Sequence, residues 1–168
     1  MHASMYTLSA PIFTRMLSNL DAILDKAIAH AAQRKIDPSV LMASRLFPDM
    51  LPMSRQVQVA CDFAKGGVAR LCGEEPPKWE DTEASLADLK ARIRRTIEFV
   101  DGFAPVRFEG ADTRVVQLQM RGETVQLAGL DYLTKMLLPN FFFHVTTAYD
   151  LLRKDGVEIG KRDFVGPS

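Results

Sequence analysis

The sequence predicts an all-α protein, an antiparallel four-helix bundle with one β-hairpin inserted ahead of the last helix. Three observations carry that expectation. Four long stretches repeat apolar residues at a period near 3.6, the spacing that gives a helix one apolar face. Only 115–127 alternates at period two, as two short runs joined by Arg121-Gly122, which is the pattern of a hairpin. The 168 residues, 47% apolar and 25% charged, suffice for a packed core and suggest one domain over 1–168.

The first helix opens at Ser9 or Ala10, with Pro11 in its first turn, where a missing N–H costs nothing. Its stripe is Ile12, Met16, Leu20, Ile23, Leu24, Ala27 and Ala31, widened by Phe13 and Leu17, and it fades near Lys35. Asp37-Pro38 starts a short helix through Val40, Leu41 and Leu46. Pro48 and Pro52 make the segment between them a loop. Helix two begins near Pro52, buries Val57, Cys61, Ala64, Val68, Leu71 and Cys72, and stops at Gly73. Glu74 to Pro77 is a loop, and Asp81 or Thr82 is the expected cap of helix three. That helix has the stripe Leu86, Leu89, Ile93, Ile97 and Val100, which leaves Lys90, Arg92, Arg94 and Arg95 for solvated faces.

Beyond the hairpin, Leu130, Leu133, Leu137 and Leu138 lead the last helix up to Pro139, which must kink or restart it. Phe141, Val145, Ala148, Leu151 and Leu152 continue the apolar face to Gly156. The stretch 157–168 is expected to lie over the bundle.

Charge and targeting narrow the classes of function. Lys plus Arg number 21 and Asp plus Glu number 21, so nothing supplies the basic excess that nucleic acid or an anionic membrane would recruit. No apolar run reaches the ~18–20 residues needed to cross a bilayer. Met1 to Tyr6 lacks a basic segment followed by an apolar one, so the expected location is the cytoplasm. Cys61 and Cys72 sit on one helix, ~16 Å apart at ~1.5 Å per residue, and are expected to be reduced and buried.

His144 is the residue that invites chemistry. It shares a helical face with Phe141, Ala148 and Leu151, and Asn140 lies one turn before it. Two polar groups turned toward an apolar bundle need partners, and helix two offers Gln56, Gln58 and Asp62. Asp62 opposite His144 would fix the imidazole tautomer and raise its pKa. The candidate pocket is therefore His144, Asn140, Gln56, Gln58 and Asp62. A satisfied core network with no chemistry accounts for the same residue types. No Cys-x-x-Cys, phosphate loop, nucleophile elbow or His-Glu-x-x-His occurs.

Several segments carry a resemblance: Pro48-Asp49-Met50, Gln56-Val57-Gln58 with Ala60 and Asp62, and above all Leu138 to Tyr149. Leu152-Arg153, Gly156-Val157, Gly160-Lys161 and Asp163-Phe164 complete the pattern. The sequence resembles the bacterial domain-of-unknown-function family numbered nineteen ninety-three, among the DinB/YfiT-like four-helix bundles. The resemblance implies an up-down-down-up bundle, often a homodimer. It also implies a divalent metal held by three histidines, one on helix two and two at i, i+4 on the last long helix. His144 matches the second of that pair and Asn140 stands in place of the first. The helix-two ligand falls within Gln56 to Asp62, where no histidine exists. Neutral amides are weak ligands for zinc or nickel, so the expectation is no bound cofactor; His144, Asn140 and Asp62 are the set that would hold a metal. Two functions stay open. One is a non-catalytic or small-ligand-binding homodimer with a decayed metal site. The other is a metal- or thiol-dependent enzyme using His144.

Overall fold

The computed structural model describes residues 4–120 and 122–167. In chain order the elements are α1 (Ala10–Arg34), α2 (Pro38–Ala43), α3 (Met53–Leu71), α4 (Leu86–Asp101) and a 3-10 turn (Pro105–Phe108). There follow the strands β1 (Val115–Met120) and β2 (Glu123–Ala128), then α5 (Gly129–Asp131), a π-helical segment (Tyr132–Leu137), α6 (Leu138–Lys154) and α7 (Lys161–Val165). The four-helix bundle with a hairpin before the last helix is the fold. α2 is shorter than its sequence pattern suggests, and Leu46 lies exposed beyond its end.

Side-chain pairs fix the direction of each long helix. Lys90 reaches Asp21 and Asp25 while Arg94 reaches Asp21, so α4 runs against α1. Phe13 packs on Phe141 and His30 lies against Gly156, so α6 runs with α1. Gln56 meets His144 while Gly67 meets Leu137, so α3 runs against α6. The α1/α4 and α3/α6 pairs are thus antiparallel, as expected, but the α1/α6 and α3/α4 pairs are parallel. This is the up-down-down-up order.

Parallel α3 and α4 impose a long return. The chain leaves the end of α3 and travels back along it before α4 can start, and residues 74–84 do this without regular structure. This strap explains why Asp81 and Thr82 do not cap α4. The Asp81 carboxylate is taken by Arg55 and Arg92, and the cap is Ser85, whose hydroxyl accepts from the Asp88 N–H at 3.1 Å.

The basic cluster of α4 is also corrected. Lys90 and Arg92 are buried, each paired with carboxylates, because α4 packs on α1 with one flank and on α3 and the strap with the other. Charge alone hides this, since a buried cation needs partners that lie far away in sequence.

Pro139 has no N–H to give to the preceding turn, and the helix meets it with a widened π turn over Tyr132–Leu137. The extra residue shifts the phase. Counting back by fours from Phe141 reaches Leu137 and then Leu133, both buried. The wider turn brings Tyr132 inward as well, five back from Leu137, and leaves Leu130 turned out to solvent. The close contact of this segment with α3 requires Gly67, where an added Cβ would stand 2.3 Å from a Leu137 methyl.

The hairpin pairs Val115 with Ala128 through to Met120 with Glu123. Gly122, at φ +86°, supplies the left-handed turn conformation, and Arg121 lies outside the described residues. Val116 is buried, and Leu118 and Leu127 pack against the core from the same hairpin. The C-terminal segment lies along α1, tied by Lys26–Asp163 and by Asn19 Nδ2 donating to the Phe164 carbonyl at 2.9 Å. No helix among the described residues is long and apolar enough to cross a membrane.

Candidate functional site

The heptad spacing of α3 decides which side chains meet α6. Gln56 and Phe63 are seven residues apart and share one face with Gly67, the residue in contact with Leu137. Gln58, Asp62 and Lys65 occupy the opposite flank, toward α4 and the strap. The sequence-based pocket is consequently split between two places.

On the α6 side, His144 Nδ1 lies 2.7 Å from Gln56 Oε1, and Gln56 Nε2 donates to the Leu51 carbonyl at 3.0 Å. The second bond orients the first. With its amide nitrogen committed to Leu51, Gln56 presents only its oxygen, so Nδ1 must carry the proton and donate. Nε2 is then the free lone pair. It has no protein partner among the described residues and is not one of their buried unpaired atoms. The half-buried ring stacks on Phe63 at 5.7 Å, with Phe143 edge-on at 5.2 Å. Burial pushes the imidazole below its ordinary pKa, which keeps it neutral at neutral pH. Asn140 donates to the Met136 carbonyl at 2.7 Å, in its own helix, and makes no bond to His144.

Asp62 does not face His144. Its carboxylate accepts from Lys65 and from Arg92, each at 2.9 Å. Gln58 bridges Arg55 and Glu83 at 2.7 and 2.6 Å. Both belong to a network centred on Arg92, which also binds Glu83, Asp81 and the Glu80 carbonyl and so pins the strap. Burial pushes the Glu83 carboxyl up, but hydrogen bonds from Arg92, its own backbone and Gln58, with the Arg92 charge, leave it below the usual range. Trp79 of the strap lies under Lys65 and Arg95, at 4.3 and 4.1 Å from its ring centre. Surface clefts of about 540 and 420 Å³ flank Trp79, one reaching Arg92 and Arg95 and the other Asp62 and Arg70.

Arg92, Glu83, Trp79 and Phe63 were not singled out from sequence. Only Phe63 had a legible signal, its seven-residue spacing from Gln56. Cys61 and Cys72 are free thiols, and burial pushes them up to about 12 and about 11, far from nucleophilic use.

A family model described as a domain of unknown function, DUF1993, matches residues 5–165. The crystal structure of a DinB family member protein from Shewanella denitrificans superposes with a TM-score of 0.92 at 44% sequence identity. The match covers 97% of this chain and 92% of that one. This chain is a DUF1993 protein of the DinB family. No curated protein matches it.

DinB membership raises the metal question on which the residues themselves bear. Among the described residues no three His, Cys, Asp or Glu side chains gather into a metal-holding group. Of the three positions implied, only His144 offers a free nitrogen. Gln56 is tied at both ends, Asn140 leaves only a neutral amide oxygen, and Asp62 lies on the opposite flank, held by two cations. These residues do not fit a divalent metal, since one imidazole with neutral amides is a poor donor set.

Proposed function

We propose that this DUF1993 protein is a non-catalytic, small-ligand-binding homodimer in which a hydrogen-bonded His144–Gln56 pair has replaced the metal centre. The observation that carries this reading is Gln56. It spans the Leu51 carbonyl and the His144 Nδ1–H, doing for the imidazole what an orienting outer partner does in a metal site, from the position where a metal ligand would stand. The exposed side chains of Leu51 and Phe143 give this end an apolar rim that a second copy would cover.

The test is titration calorimetry with Zn²⁺ and Ni²⁺ at neutral pH. The natural chain is expected to show no stoichiometric binding at micromolar affinity, while the Gln56→His/Asn140→His variant gains it. Micromolar binding by the natural chain that is lost in His144→Ala would overturn the reading. Light scattering tests the dimer separately, and a monomer at tens of micromolar removes that part.

A second reading has one observation in its favour. A neutral imidazole with Nδ1–H held and Nε2 open is also the arrangement of a general base. Turnover abolished by His144→Phe but not by chelators would favour that enzyme.

A further inference from the structure

The hydrogen-bond inventory at His144 points to the chemistry of the ligand, given the metal-free reading above on which it rests. Gln56 has spent its amide on Leu51 and its oxygen on His144. Asn140 has spent its amide nitrogen on the Met136 carbonyl. Two groups are left without a protein partner among the described residues, His144 Nε2 and Asn140 Oδ1, and neither is one of their buried unpaired atoms. Both are acceptors. They stand at i and i+4 on α6, where Cβ atoms lie ~5–6 Å apart.

The adjoining stretch of α6 brings no competing cation. From Met136 to Tyr149, α6 contains no Lys or Arg, and Arg55 on α3 is engaged with Asp81 on the other flank. The Phe63 face and the exposed Phe143 ring border the imidazole, and aromatic faces attract cations. The imidazole itself is neutral and repels nothing. We infer that the His144–Asn140 face binds an organic ammonium, its N–H groups shared between Nε2 and Oδ1 and its charge set beside Phe63 and Phe143. A carboxylate would bring lone pairs against lone pairs. An alcohol carries one donor for two acceptors.

Three probes sharing one aryl body separate these chemistries: benzylammonium, benzyl alcohol and benzoate. Each is titrated into the full chain while the imidazole ¹⁵N resonances of His144 are followed by NMR. Benzylammonium is expected to shift Nε2 saturably, about tenfold tighter than benzyl alcohol, because a charge-assisted hydrogen bond is about twice as strong as a neutral one. Benzoate is expected to leave the resonance unmoved. Asn140→Ala, which removes Oδ1, should weaken benzylammonium about tenfold, and His144→Phe, which keeps the packing, should abolish the binding. Both are read by titration calorimetry, since the second variant lacks the NMR reporter. Benzoate binding as tightly as benzylammonium, or an Asn140→Ala variant with unchanged affinity, overturns the inference and leaves the metal-free reading standing. Stoichiometric zinc binding in a separate titration overturns the metal-free reading instead.

Discussion

Replacing Arg92 by Met removes the charge that pins the strap while keeping most of the side-chain volume. The Arg92 side chain is 2% exposed, and its partners differ: Glu83 is 11% exposed, Asp81 35% and Asp62 42%. Breaking a buried ion pair costs about 3–5 kcal/mol, mostly through the charge left behind. Here only Glu83 is left buried, because Asp62 and Asp81 can turn to water, so the lower end applies, about 3 kcal/mol. At roughly 2–4 °C per kcal/mol for a domain of this size, the melting temperature should fall by about 6–12 °C. The effect carries a pH signature. In the natural chain Glu83 sits below its ordinary pKa, so its contribution is present above the unfolded value and lost as pH falls through the folded one. In Arg92→Met, burial is opposed only by the bonds from Gln58 and the Glu83 backbone, so Glu83 rises relative to the natural chain and the difference between the two should narrow in acid. Urea unfolding followed by circular dichroism from neutral pH to about pH 4 measures both. A difference below about 1 kcal/mol at neutral pH, or one that does not narrow in acid, would refute the assignment of Arg92 as the buried centre of this network.

Gly67→Ala gains about 1 kcal/mol of helix propensity but drives a methyl into Leu137, and overpacking of about 1–3 kcal/mol should leave the variant no more stable than the natural chain. Thermal unfolding decides, and a clear gain would show that the π segment yields freely. His144 is held below its ordinary pKa, so the unfolded chain takes up its proton first, and stability should fall as pH drops from about 6.5 through the folded value. His144→Phe should flatten that part of the stability profile, and an unchanged slope would exclude His144 as its source. Cys61 and Cys72, both raised by burial, should resist maleimide in the folded protein at pH 7 and react on adding denaturant. Mass spectrometry counts the adducts.

The bundle was legible because its evidence is local. Stripes such as Leu86, Leu89 and Ile93, and the alternation of Val116 and Leu118, require only a period and a neighbour. The pairing of His144 with a polar residue of helix two followed from the same phase reasoning. The choice among Gln56, Gln58 and Asp62 did not, because it depends on which flank of α3 faces α6. That is set by the packing order of four helices, a non-local fact. The position of the α4 cap failed for the same reason, since Asp81 is a good cap by type and is diverted by Arg55 and Arg92. Tyr132 was missed because a π turn changes the period for one turn and leaves no mark beyond Pro139.

The up-down-down-up order has a consequence for assembly. α1 and α3, from the first half of the chain, occupy one diagonal of the bundle, and α4 and α6, from the second half, occupy the other. Each half therefore supplies opposite corners, and neither half contains an adjacent pair that could close a core alone. During synthesis the first two long helices emerge with their apolar faces waiting for elements that come only after the strap and the hairpin. The contacts that join the halves span large sequence separations, so loop closure precedes most of the gain in burial. A chain cut within the strap should yield two pieces that are unfolded apart and fold only on mixing, with a rate that depends on concentration.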